Sequence, residues 1–153
     1  MNKISMSLLA AGLFATLSAC SNDDSRKEQR CETPSAVNPP INEAFNIEVG
    51  STVSVDDGGL QVTFVGVDGD SRCPSDVQCV TAGSAIIRLT GQPAGRDAET
   101  FTLETDADTS QTLAFDSGFY QIELGEVEPF PISTREIADD GYCVTLTVAK
   151  ALE

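Results

Sequence analysis

Five cysteines and no histidine set the chemistry open to this 153-residue chain. A thiolate can act as nucleophile or metal ligand. Without imidazole, however, there is no Cys-His pair, no Ser-His-Asp triad and no His-ligated zinc or iron. The 24 acidic residues offer carboxylates instead. Two of them flanking a sugar could hydrolyse a glycoside, but none stands in a sequence context that raises its pKa. A phosphate cradle must open a helix, and Asp57-Gly58-Gly59 precedes a strand pattern. Calcium is the remaining candidate. Asp106, Asp108 and Ser110 repeat the first half of a calcium loop, and hard cations take oxygens from alternating positions of a tight loop. The second half is missing: Gln111 stands where the Gly belongs and Ser117 where the closing Glu belongs. Asp68 with Asp70 makes a second Asp-x-Asp at a strand end. These residues point to a non-enzymatic protein without a cofactor, calcium being the one metal they suggest.

The elements that position this chemistry begin with a leader. Asn2 and Lys3, an apolar run from Ile4 to Leu17 and the small residues after it form the three zones of a secretory signal. The run is too short to span a bilayer, which needs about 20 apolar residues. Leu17-Ser18-Ala19-Cys20 resembles the lipobox of bacterial lipoproteins. That resemblance implies removal of residues 1–19, a diacylglycerol on the Cys20 sulfur, and acylation of the new amino group, by palmitate or a similar chain. It also implies a cell-envelope protein anchored to the membrane through its N-terminal lipid. Ser21, where inner-membrane retention takes Asp, implies the outer membrane, on its periplasmic or surface face. Asn22-Asp23-Asp24 is similar to acidic tracts that carry lipoproteins to the cell surface. Residues 20–40 are rich in Ser, Asn, Asp, Arg, Lys, Glu and Pro and read as a lipidated, disordered tether. Residues 41–153 make one domain of ordinary size.

Removing residues 1–19 takes away Lys3 alone among the charged residues, so the remainder carries 8 basic against 24 acidic residues, a formal charge of -16. Such a surface repels phosphate backbones and anionic lipid heads, which excludes nucleic acid as a partner and leaves membrane contact to the lipid. With Cys20 assigned to lipid, Cys31, Cys73, Cys79 and Cys143 remain for disulfides outside the cytoplasm, with three possible pairings. Cys73-Pro-Ser-Asp-Val-Gln-Cys79 is a compact loop, which favours Cys73 with Cys79 and leaves Cys31 with Cys143.

From Ile41 onward apolar residues recur with period two, the pattern of half-buried strands. Phe45, Ile47 and Val49 alternate, as do Val53 and Val55. Asp56-Asp57-Gly58-Gly59 then marks a hairpin turn into Leu60, Val62 and Phe64. Further strands are expected around Ala85-Ile87-Leu89, Phe101-Leu103, Leu113-Phe115, Tyr120-Ile122-Leu124 and Tyr142-Val144-Leu146-Val148. Ser133-Thr134-Arg135-Glu136 has capping-box spacing and starts either one helical turn or a loop. Seven or eight short strands without a helical period predict an all-β, antiparallel β-sandwich, with a small β-barrel as the alternative. If Val144 faces the core, Cys143 faces outward, so Cys31 must lie outside the sheet and staple the tether to the last strand. Tyr120 is expected in the core, and so by default is Phe130, whose alternative, between Pro129 and Pro131, is an exposed anchor for a partner.

Asp70-Ser71-Arg72-Cys73-Pro74, then Val77-Gln78-Cys79, then Ala82-Gly83 leading into a strand, resembles a signature of small uncharacterised all-β envelope proteins of bacteria. Those proteins carry Trp where Thr81 stands. The resemblance implies an all-β fold and no activity. The expected role of this stretch is structural, a disulfide-closed loop in which Asp70 and Arg72 pair. The expected function is that of a lipid-anchored binding or accessory module whose partner is an envelope protein or other ligand. Two alternatives are an inhibitor of a basic envelope-attacking enzyme such as lysozyme, steered by charge, and a calcium-dependent structural or adhesive domain.

Overall fold

The computed structural model describes residues 31, 38–106, 109–115 and 118–152. The lipobox with Cys20 and most of the tether lie outside the described residues. Eight strands run in chain order: β1 (Ala44–Glu48), β2 (Thr52–Val55), β3 (Leu60–Asp70), β4 (Ala85–Pro93), β5 (Glu99–Glu104), β6 (Ser110–Phe115), β7 (Gly118–Glu128) and β8 (Cys143–Leu152). They form two four-stranded antiparallel sheets, β1-β8-β7-β6 and β2-β3-β4-β5, packed as a sandwich and not closed into a barrel.

The period-two residues build the core. Phe45, Ile47, Val144, Leu146, Val148, Tyr120 and Ile122 are buried from one sheet; Val53, Val55, Leu60, Val62, Phe64, Ile87 and Leu89 are buried from the other. Asp56–Gly58 forms a 3-10 turn between β2 and β3, with Asp56 and Asp57 in left-handed backbone, which Asp tolerates better than most residues. Gly91 is required by packing: a Cβ there would sit 2.2 Å from Leu113 Cδ1 of the facing sheet. Tyr142 immediately precedes β8 and is buried, as its alternation with Val144 requires.

Both disulfides follow the expected pairing, Cys31 with Cys143 and Cys73 with Cys79. Cys143 pairs with Glu48 on one side and Glu128 on the other; it alternates with Val144 and lies outside the core cluster, though it too is buried. The bridge therefore joins Cys31, the first described residue, to the start of the last strand.

One open reading is resolved and one expectation is corrected. Ser133–Glu136 takes the loop alternative: Arg135 N donates to Ile132 O in a tight turn closed by an Ile132–Arg135 bridge. The Ser133 hydroxyl and N–H both donate to the Asp76 carboxylate, so they are committed away from a cap. Phe130 is half exposed rather than in the core, its ring lying 4.9 Å from the Arg72 guanidinium carbon.

The two bridges close loops of very different length, 112 and 6 residues of separation. On loop entropy the long one contributes about 5 kcal/mol and the short one about 2 kcal/mol. Urea unfolding of the paired Ala variants checks this order: loss of Cys31–Cys143 costs more than loss of Cys73–Cys79. Equal costs would show that strain or residual structure, not loop closure, sets the contribution.

Candidate functional site

The end of the sandwich where β3 and β7 finish is organised by one buried cation. Asp70 is the last residue of β3, and Arg72 follows two residues later. This spacing lets the Arg72 backbone N–H donate to Asp70 Oδ1 at 3.1 Å while its side chain curls back onto the same carboxylate. Nε donates to Oδ1 at 2.9 Å and Nη2 to Oδ2 at 2.7 Å, the two-pronged geometry in which Arg and carboxylate match best. The pair is almost fully buried, with 6% and 9% of the side chains exposed. A buried ion pair must satisfy its remaining donors, and here the other sheet does so. Nη1 donates to Val127 O and Nη2 to Pro129 O at 3.0 Å, both across more than 50 residues of sequence. The guanidinium face then lies against Phe130.

Around this cation two loops are hydrogen-bonded into one surface. Cys73 N donates to Ala82 O and Ser71 N to Ser84 O, which closes the disulfide loop at its base. Gly83 is needed there: its φ is +69°, and a Cβ would lie 1.8 Å from Ser71 O. Ser75 N donates to Pro131 O, and Asp76 accepts from Ser133, tying the disulfide loop to the segment after β7. The resulting surface exposes Val77 and Val80 from one loop and Phe130 and Ile132 from the other. On one flank lies a groove of about 630 Å³ between β3 and residues 135–142. On the other is a hollow of about 410 Å³ lined by Arg72, Glu126, Glu128 and Phe130.

Electrostatics keep the core of this end fixed. Burial pushes the Asp70 carboxyl up, but the Arg72 side chain and N–H, with the Tyr142 hydroxyl, outweigh it and hold Asp70 below the ordinary value. Tyr142 donates to Asp70 Oδ2 at 3.3 Å, and burial followed by the Asp70 charge raises its pKa. Asp70, Arg72 and Tyr142 thus saturate one another. Their mutual hydrogen bonds hold the shape of this end.

The opposite end carries a separate tie. Asp56 Oδ2 accepts from Tyr120 at 2.6 Å and from Lys150 at 2.7 Å, linking the β2–β3 turn to β7 and β8. The Lys150 and Tyr120 hydrogen bonds hold the Asp56 carboxyl below its ordinary value, while burial and Asp56 keep the Tyr120 hydroxyl protonated.

Of the residues singled out for calcium, Asp106 is exposed in a turn with φ +71° and Ser110 opens β6, while Asp108 lies outside the described residues. Asp68 and Asp70 do not share a site: Asp68 pairs with Arg88 and Asp70 with Arg72. Among the described residues no group of three or more Cys, Asp or Glu side chains converges to hold a metal. The local Asp70–Arg72 pair was readable from spacing. Its acceptors on Val127 and Pro129 were not, because carbonyls carry no sequence signal. Comparison with known proteins finds no matching family model, no matching curated protein and no matching solved structure.

Removing Arg72 leaves Asp70 buried without its cation, and breaking such a pair costs about 3 kcal/mol or more. Thermal melts of Arg72→Met at pH 7 therefore show a drop of several degrees or more. Asp70→Asn is also less stable at pH 7, but with a different pH profile. The folded-state pKa of Asp70 is lowered, so its contribution is complete above the unfolded value of about 3.9 and fades as pH falls through the folded one. The wild type hence loses more stability than Asp70→Asn between about pH 5 and pH 2. Parallel profiles would show that Asp70 is not linked to folding.

Proposed function

We propose that the chain is a lipid-anchored lipoprotein of the bacterial outer envelope whose β-sandwich is a non-enzymatic binding or accessory module, presenting the Arg72 end to its partner. The anchor rests on the Leu17-Ser18-Ala19-Cys20 lipobox. The module reading rests on one observation above all: an exposed aromatic, Phe130, is held in place by a buried guanidinium within a surface that also exposes Val77, Val80 and Ile132. Binding energy concentrates in aromatic anchors, and an anchor immobilised before contact loses less conformational freedom on association. The tyrosines and buried carboxylates are engaged in hydrogen bonds, as a scaffold requires.

The experiment has two arms in living cells. Cys20→Ser releases the protein from the membrane fraction. A photo-crosslinking residue at position 130 captures a discrete envelope protein, while the same residue at position 97, in the β4–β5 turn at the other end, does not. Membrane association of Cys20→Ser would end the lipoprotein reading, and indistinguishable captures at 130 and 97 would end the module reading. Capture of a basic envelope-attacking enzyme such as lysozyme selects the inhibitor alternative, which the acidic residues of the groove favour.

A further inference from the structure

The second half of β3 has an open edge. β2 pairs only with Leu60–Thr63, and the next position is closed by Gly50 N donating to Phe64 O and Phe64 N donating to Ser51 O. Beyond Phe64, β3 continues to Asp70 with β4 on one side and, among the described residues, no strand on the other. An unpaired strand edge presents a row of backbone donors and acceptors that another chain can use. Here the edge faces the 630 Å³ groove, whose far wall is residues 135–142. That volume falls within the range of about 300–1,000 Å³ seen for binding clefts.

Two glycines on this edge fit the same picture. Gly66 and Gly69 line the groove, and a Cβ at either would meet nothing within 4 Å. Neither has a left-handed φ. Packing and backbone conformation therefore leave room for a side chain at both positions. Glycine within a strand otherwise marks a bulge or a close approach by another backbone. A bulge is present here, since register shifts against β4 fall between Phe64 and Gly66 and between Val67 and Gly69, and the empty space at both glycines leaves room for an approaching backbone. The shifts bend the edge, so an added strand is short.

Charge and apolar lining state what fits. Glu136, Asp139 and Asp140 line the groove and are exposed. Asp70 is already matched by Arg72, and Arg135 is the one basic residue in the lining. Between them Val67 and Ile137 are half-buried and packed against the core edge. We propose that the groove takes a short extended peptide segment of a partner protein, with basic residues alternating with apolar ones, added as a strand to the Val65–Asp70 edge. Backbone hydrogen bonds give such an arrangement its affinity and alternate side chains its specificity: basic ones toward Glu136, Asp139 and Asp140, apolar ones toward Val67 and Ile137. This names the partner chemistry for the module reading and rests on it.

The test uses the full lipoprotein in detergent micelles and a fluorescent eight-residue peptide of alternating Lys and Val. Expected are saturable binding by anisotropy and at least tenfold weaker binding both for the same peptide with its backbone nitrogens methylated and for Gly69→Val. Gly66→Val serves in its place if Gly69→Val melts below the wild type. No saturable binding of the alternating peptide overturns the proposal. So does equal binding of the methylated peptide or of the valine variant, which would reduce the interaction to charge attraction. Because the peptide titration needs no cellular partner, its failure is distinct from a failure of the crosslink at position 130, which concerns the module reading itself.

Discussion

A guanidinium taken out of water must be surrounded by acceptors, and the architecture of one end of this domain follows from how Arg72 meets that requirement. Its own sheet provides one carboxylate, Asp70; the other sheet provides the carbonyls of Val127 and Pro129. One side chain thereby fixes the exit of β3 relative to the exit of β7. The loops that leave those strands would otherwise be exposed connections with few apolar contacts, the regions that open most easily. Held by Arg72, the disulfide loop and the segment around Pro131 become one surface, and Phe130 stays at its rim instead of collapsing into the core. Stability and display thus share one cause.

The two ends of the sandwich are tied by the same device with different consequences. At the β2–β3 turn, Asp56 joins Tyr120 and Lys150, and the cation sits at the edge of the structure. At the other end the cation is buried with its carboxylate, and across the groove the 135–142 segment exposes Glu136, Asp139 and Asp140. The Cys31–Cys143 bridge enters β8 one residue after Tyr142, which donates to Asp70. Cys31 is therefore stapled beside the end that displays the groove and Phe130. By the lipobox reading, lipid and partner would be oriented through the same strand.

Strands were legible because a half-buried sheet imposes a two-residue period on its sequence, and every alternating run from Phe45 to Val148 falls in or beside a strand. The cysteine pairs were legible by elimination and compactness. What was not legible depends on atoms that every residue has. The Val127 and Pro129 carbonyls look like any others, so the fate of Phe130 could not be read without knowing that Arg72 lies beneath it. The choice between helical turn and loop at Ser133 was open for a related reason, since what decides it is Asp76, 57 residues away, which takes the Ser133 donors. The open edge of β3 follows from β2 being short, a length visible in Thr52–Val55, but its exposure depends on β1 crossing to the other sheet.

The central claim is that Arg72 binds the two loops into one cooperative unit, and native-state amide hydrogen exchange tests it most directly. Exchange of the Cys73, Ser75, Arg135 and Ser133 amides, each bonded within or between the two loops, should occur with one common opening free energy in the wild type. In Arg72→Met that common opening should split, with residues 130–135 exchanging much faster than the base of the disulfide loop. Independent opening of the two loops in the wild type, or a common opening that survives loss of Arg72, would contradict the account.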